Sequence, residues 1–269
     1  MATPTRMTAG DLALTKQCLY VYGIVDSSLQ PGMLIGAARG PELELTSVGA
    51  VAAVHCRIDS SEMTDLEPEL VEGSRFAHLV RRHDEVVTAL ALAGPVLPVR
   101  FGTLLSDRDG LTDALAAGEH QLSTALDRVR GCAEWQLRVT PPASEPAEPI
   151  RPAPNADASA ETSGAGTLYL LGKREARRRA IDRHSQLVEA VRALDASLSE
   201  QAEESAGPAL SGASGSRAYL VAHSAQEDFL TACEHAVAPL DHLGCTVTLH
   251  GPLAAYSFTD VRLGGAEDD

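Results

Sequence analysis

Between Thr140 and Gly166 the chain carries six prolines, at positions 141, 142, 146, 149, 152 and 154, among alanine, serine and acidic residues. Large apolar side chains are almost absent there. Such a stretch cannot bury enough surface to offset the entropy of ordering it, so a disordered, partly extended linker is predicted over 141–166. The linker splits the 269 residues into two halves of ordinary domain size. The expected layout is a disordered N-terminus (1–16), a first domain (17–140), the linker, a second domain (167–262) and a frayed tail (263–269).

In the first half, Cys18 to Val25 is a nearly continuous apolar run, the pattern of a strand covered on both faces. Leu43, Leu45 and Val48, then Gly49-Ala50, then Val51 to Cys56 give a hairpin signal. Ser74 is placed to cap a helix reaching about Leu92, with Phe76, Leu79, Val80, His83, Val86, Val87 and Leu90 on one face. Arg75, Arg81 and Arg82 fall off that face. His83 points to the core side and is expected to be a buried structural histidine, since no second ligand follows at helical spacing.

Pro95-Val-Leu-Pro-Val-Arg-Phe-Gly-Thr103 follows, strand chemistry interrupted by prolines. Pro98 has no N–H to give a ladder and suits an edge, a bulge or a strand start. Arg100 is the only charge in the stretch: charged residues mostly face water, and the sharper alternative is a contact surface. Two helical pieces broken near Gly118 are expected from Ser106 to Arg130, and Glu134 to Val139 is expected to close the first domain as a strand. That order approaches the split βαβ of a ferredoxin-like α+β sandwich.

The second half is expected to open with a short strand, Thr167 to Leu171, and continue as a helix from Lys173 to about Glu203. Lys173, Arg174, Arg177, Arg178, Arg179 and Arg183 make the start of that helix basic, against its macrodipole. They form either a solvated face or a docking surface for an acidic partner. A soft Gly/Ser insertion (205–216), a strand (217–223), a helix from Ser224 or Gln226 and a strand (245–249) follow, with a turn at Gly251-Pro252. This is a second, smaller α+β sandwich.

A formal net charge of −15 repels phosphate backbones and argues against general nucleic-acid binding. Five scattered cysteines without a Cys-x-x-Cys suggest reduced thiols rather than a disulfide framework or a zinc site. No apolar run has the length of a membrane span or a signal peptide, so a soluble cytoplasmic protein is expected. Gly166 to Arg174 imitates a P-loop but has five intervening residues and Arg where Ser or Thr must hold magnesium. Neither a nucleophile elbow nor a His-Glu-x-x-His is present, and the sequence shows no catalytic constellation.

Taken in order, Tyr20-Val-Tyr-Gly-Ile-Val25, His83 with Pro95 to Thr103, Glu134-Trp135, Tyr169-Leu-Leu171 with Lys173-Arg174, Tyr219-Leu-Val221, and Gly251-Pro252 with Tyr256-Ser-Phe258 form a set. By these motifs the chain resembles the GvpL/GvpF family of gas vesicle proteins. It departs in carrying Leu253, Ala254 and Ala255 where that family has Trp and Pro between its Gly-Pro and Tyr-Ser-Phe. The resemblance implies two α+β domains, the first ferredoxin-like and the second a smaller, modified version, with no enzymatic activity, cofactor or metal. It implies an accessory protein of gas vesicle assembly, cytoplasmic and associated with the vesicles. Such a protein binds the very hydrophobic shell subunit and other vesicle proteins during nucleation. Partner contacts are expected at Pro98, Arg100, Phe101, Arg177, Arg178 and Tyr256. The alternative, a small-molecule-binding or enzymatic ferredoxin-like protein, requires a pocket with converging polar groups.

Overall fold

The computed structural model describes residues 17–29, 42–64, 73–142, 162–210, 212–261 and 263. The expected disordered N-terminus, most of the linker and most of the tail lie outside the described residues. Those described form two compact units of mixed helix and sheet, one drawn from 1–133 and 252–269, the other from 134–251.

The first unit is built on β1, Gln17–Asp26, buried along nearly its whole length. A hairpin of β2 (Glu44–Val48) and β3 (Val51–Asp59) lies on one side of it, with β3 antiparallel to β1 from Gln17 opposite Asp59 to Asp26 opposite Val51. On the other side β4, Val96–Pro98, pairs antiparallel with β1, giving the order β2-β3-β1-β4, and β5, Leu104–Leu105, also pairs with β1. The register slips between Val21 and Gly23, a bulge that reverses which face the following residues take. Tyr20, Tyr22 and Val25 thereby reach one core although their spacing is uneven.

A single turn, α1 (Ser61–Thr64), precedes α2, Arg75–Ala93, which is capped by Ser74 accepting from the Ala77 N–H at 3.1 Å. Its Val86, Val87 and Leu90 pack on Tyr20, Tyr22, Val54, Cys56 and Val96. α3 runs unbroken through Arg108–Val129, where two pieces were expected. One glycine costs a helix only about 1 kcal/mol, and the buried stripe of Leu111, Leu115, Leu122, Leu126 and Val129 carries it across Gly118.

The second unit corrects four expectations. Trp135 and its neighbours belong to β6, Cys132–Thr140, which joins the second sheet rather than closing the first. A period of two identifies a strand but not the sheet it enters. Thr167 to Leu171 is not a strand: α4 spans Thr162–Gln201 and takes in the last residues assigned to the linker. Leucine is a strong helix former, and extending an existing helix is far easier than starting one. The soft insertion contributes β7, Glu204–Ala206, paired antiparallel with β8, Gly215–Ala222.

α5, Gln226–His242, and β9, Thr246–Leu253, complete the unit, with sheet order β7-β8-β6-β9. β9 continues straight through Gly251-Pro252, where a turn was expected. Leu187, Val191, Leu194 and Leu198 of α4 close over Trp135, Leu137, Val139, Tyr219 and Phe229.

Candidate functional site

After Pro98 the chain stays beside β1 without forming a regular ladder. The Val99 N–H donates to the Tyr22 carbonyl at 3.1 Å, and the Val21 N–H donates to the Thr103 carbonyl at 3.1 Å. Between them Arg100 to Thr103 is a tight turn, its Arg100 carbonyl accepting from the Thr103 N–H at 3.2 Å and hydroxyl at 2.8 Å. Gly102 makes the turn with φ of 86°, a conformation side chains with a Cβ resist. β4 and β5 are thus one edge ribbon with a looped middle. Pro98 stands on the outer strand, opposite Gly23, and offers no donor.

The two residues of the loop tip have opposite fates. Arg100 projects outward with 82% of its side chain exposed, 3.8 Å from Asp260, itself largely exposed, so the pair adds little stability. Phe101 turns inward and is half-buried, with its ring edge-on to Phe76 (5.5 Å), His83 (5.8 Å) and Tyr20 (6.2 Å). Tyr256 lies on a 3-10 turn, Tyr256–Phe258, and packs half-buried against the same core. Pro98, Arg100, Phe101 and Tyr256 therefore belong to one unit, while Arg177 and Arg178 belong to the other.

His83 is buried, as its position on the apolar face predicts. Its Nδ1 is 2.8 Å from the Tyr20 hydroxyl, and its ring stacks on Tyr22. The Gly102 N–H donates to the same hydroxyl at 3.4 Å, which leaves the hydroxyl hydrogen available to the neutral imidazole. Nε2 is buried without a hydrogen-bond partner among the described residues, and the Val99 carbonyl favours the protonated ring. Burial pushes the imidazole pKa down to about 4, only partly opposed by that carbonyl and Asp84. Burial likewise raises both phenols, Tyr20 and Tyr22, well above the ordinary tyrosine range.

On the second unit every residue from Tyr169 to Gln186 is exposed, an arm of α4 with no covering segment among the described residues. Tyr169, Leu170, Leu171 and Ile181 show large apolar surfaces there. Arg178 approaches Asp182 at 4.0 Å and Arg179 pairs with Glu175. Because α4 begins at Thr162, the basic cluster lies about three turns inside it and does not oppose the helix dipole, which acts on the first turn. The P-loop look-alike is continuous helix from Gly166 to Arg174 and presents no loop to cradle phosphate.

Two arrangements escaped the sequence. Asp195, on the buried face of α4, accepts from the Tyr219 hydroxyl (2.6 Å), Arg217 Nη1 (2.7 Å) and the Leu210 N–H (3.2 Å). An acid one residue after Leu194 in an apolar stripe was its only signal. The second is a cavity of about 290 Å³ in the first unit, between Tyr20 and Tyr22 of β1, Arg57 of β3, Glu62 of α1 and Leu79 and Arg82 of α2. Arg82 was assigned away from the core, yet its Nε and Nη2 are buried. Its spacing of three from Leu79 was the available clue. No cysteine is joined to another, and burial raises the Cys18, Cys56, Cys233 and Cys245 thiols.

These features define a two-unit helix-and-sheet protein whose distinctive surfaces are a proline-marked sheet edge and a basic helical arm. The chain belongs to the gas vesicle synthesis protein GvpL/GvpF family, which it matches over residues 18–260. It is 29% identical to gas vesicle protein L of Streptomyces sp. (strain CB03234), covering 95% of this chain and 96% of that one. Gas vesicle protein L2 of Halobacterium salinarum is 33% identical over 127 residues, covering 45% of this chain and 42% of L2. The fold resembles the crystal structure of gas vesicle protein GvpF from Anabaena sp. PCC7120, with a TM-score of 0.61 at 15% identity, covering 91% of this chain and 97% of that one. GvpF from Microcystis aeruginosa gives a TM-score of 0.55 at 15% identity, covering 91% and 99%. No described helix is long and apolar enough to cross a membrane.

Proposed function

We propose that this protein is a non-enzymatic accessory factor of gas vesicle assembly. It binds the hydrophobic shell subunit and other vesicle proteins during nucleation, in the cytoplasm and in association with the vesicles. The observation that carries this reading is the edge of the first sheet, where Pro98 ends the strand order and Arg100 projects outward beside it. A sheet edge can accept an extended or amphipathic segment of a partner. Shell subunits with apolar faces aggregate before placement unless such surfaces are covered. A three-residue strand closed by proline is too short to pair with its own copies, which suits a temporary cover.

Within this reading the first unit is a ferredoxin-like variant and the second a smaller modified one. Phe101 and Tyr256 shape the edge from beneath, while Arg177 and Arg178 offer a second contact to an acidic partner. Membership of a gas vesicle synthesis family supports the setting. Co-purification of the shell subunit with tagged protein tests it. Arg100→Glu is expected to reduce capture while leaving the thermal transition in place; Phe101→Ala, which opens the aromatic cluster, is expected to reduce both. Undiminished capture by both variants removes the edge as the binding site.

A further inference from the structure

Arg82 carries an unmet electrostatic demand. Its Nε and Nη2 are buried and have no hydrogen-bond partner among the described residues, and these two nitrogens form the guanidinium edge whose N–H bonds run parallel. Buried donors on a cation are costly when unpaired, and native structures keep few of them. The residue lines the 290 Å³ cavity, about the lower size of small-ligand pockets. The other charges on the wall do not answer it. Arg57 gives its Nε to Glu44 at 3.0 Å, and Glu62 Oε1 accepts from the Asp59 N–H at 3.4 Å. Ile58, Met63 and Leu79 make the rest of the lining apolar, and among the described residues the Tyr22 hydroxyl is engaged only by the Cys56 sulfur at 3.4 Å.

We propose that this cavity binds a carboxylate carried on a small apolar body, held by the Nε–Nη2 edge of Arg82, with Ile58, Met63 and Leu79 seating the body. A planar carboxylate matches that edge with two parallel hydrogen bonds. Arg57 is paired with Glu44, so the cation on the wall without a partner among the described residues is Arg82, whose single charge one carboxylate matches and a phosphate dianion exceeds. The carboxylate can come from an acidic side chain between apolar residues of a polypeptide, or from a free organic acid. The inference does not depend on the vesicle reading, because its test uses this chain alone.

The test is a titration of the purified full-length protein with benzoate and, separately, with acetyl-Leu-Glu-Leu-amide, following arginine Nε–H resonances by NMR. One resonance, assigned by its loss in Arg82→Gln, is expected to move saturably with at least one probe. Benzamide and the glutamine version of the peptide are expected to leave it in place. Arg82→Gln is expected to weaken binding roughly tenfold or more, Arg82→Lys less, and Arg57→Gln by under about threefold. Met63→Trp, which fills the cavity and keeps Arg82, provides the second variant and is expected to weaken binding as well. Tighter binding of the peptide identifies a polypeptide source, and tighter binding of benzoate a free acid. No saturable shift with either probe, or unchanged affinity in a folded Arg82→Gln or Met63→Trp protein, overturns the proposal.

Discussion

The hydroxyl of Tyr20 lies 2.8 Å from Nδ1 of His83, and the same hydroxyl receives the Gly102 N–H at 3.4 Å. One phenol thus ties β1 to α2 and to the loop at the sheet edge. Tyr20→Phe keeps the ring and removes the link, leaving a buried imidazole nitrogen unpaired. A loss of about 1–3 kcal/mol is expected, read from the urea midpoint at constant m-value. The loop that carries Arg100 is expected to loosen first, as faster amide exchange at Gly102.

His83 also gives the protein an acid-sensitive term. Its pKa falls from 6.5 unfolded to about 4 folded, so the unfolded chain takes the proton first as pH drops. The stability it contributes is intact above 6.5, is lost progressively between 6.5 and 4, and changes no further below 4. The whole term is about 3 kcal/mol. Urea unfolding of wild type and His83→Gln across that range checks it: the wild-type curve is expected to fall more steeply, the difference confined to this window. Parallel curves contradict it.

Gly251 lies flat against the indole of Trp135; a Cβ at that position falls 2.6 Å from Cδ2 and Cε3 and 3.0 Å from the Glu134 carbonyl. Two short motifs far apart in sequence are therefore the two sides of one contact. Gly251→Ala is expected to cost about 1–3 kcal/mol by overpacking. Trp135 is the protein's single tryptophan, so its fluorescence reports the displacement directly. Pairing the change with Trp135→Phe is expected to recover part of the loss, because the smaller ring leaves room.

Local features were legible where the sequence sets them locally. The spacing of Val86, Val87 and Leu90 gave α2, the Gly49 turn gave the β2–β3 hairpin, and Pro98 implied an irregular or outer strand. What failed depends on distant partners. Trp135 alternates as any strand residue does, and only contact with α4 and β8 places it in the second sheet. Thr167 to Leu171 suits a strand in isolation, and the helix running on from it decides otherwise. Arg82 looked like a solvated charge because residues from β1, β3 and α1 make the cavity around it.

Asp195 holds the second core together through a buried polar node. It takes hydrogen bonds from Tyr219, Arg217 and the Leu210 backbone, and Arg217 passes a further one to Ser205 at 2.6 Å. Asp195→Ala strands a mostly buried guanidinium and a buried phenol together, and a loss of about 3–5 kcal/mol is expected. Adding Arg217→Met to Asp195→Leu removes both charges and is expected to cost less than the sum of the two single changes. Chemical denaturation of the four proteins in a cycle gives the coupling; additivity within experimental error rules the node out.

The exposed arm of α4 separates stability from binding. Arg177 and Arg178 face solvent, and the ion pair of Arg178 with Asp182, at 4.0 Å, is a surface contact. Reversing both to glutamate is expected to change stability by no more than about 0.5 kcal/mol. If the arm is a docking surface for an acidic partner, the same reversal removes attraction over a Debye length of about 8 Å at physiological salt. Capture of that partner is then expected to fall sharply at low salt and to differ little from wild type at high salt, because screening erases the term being tested. Equal capture by both proteins at every salt concentration assigns the basic cluster to solvation alone.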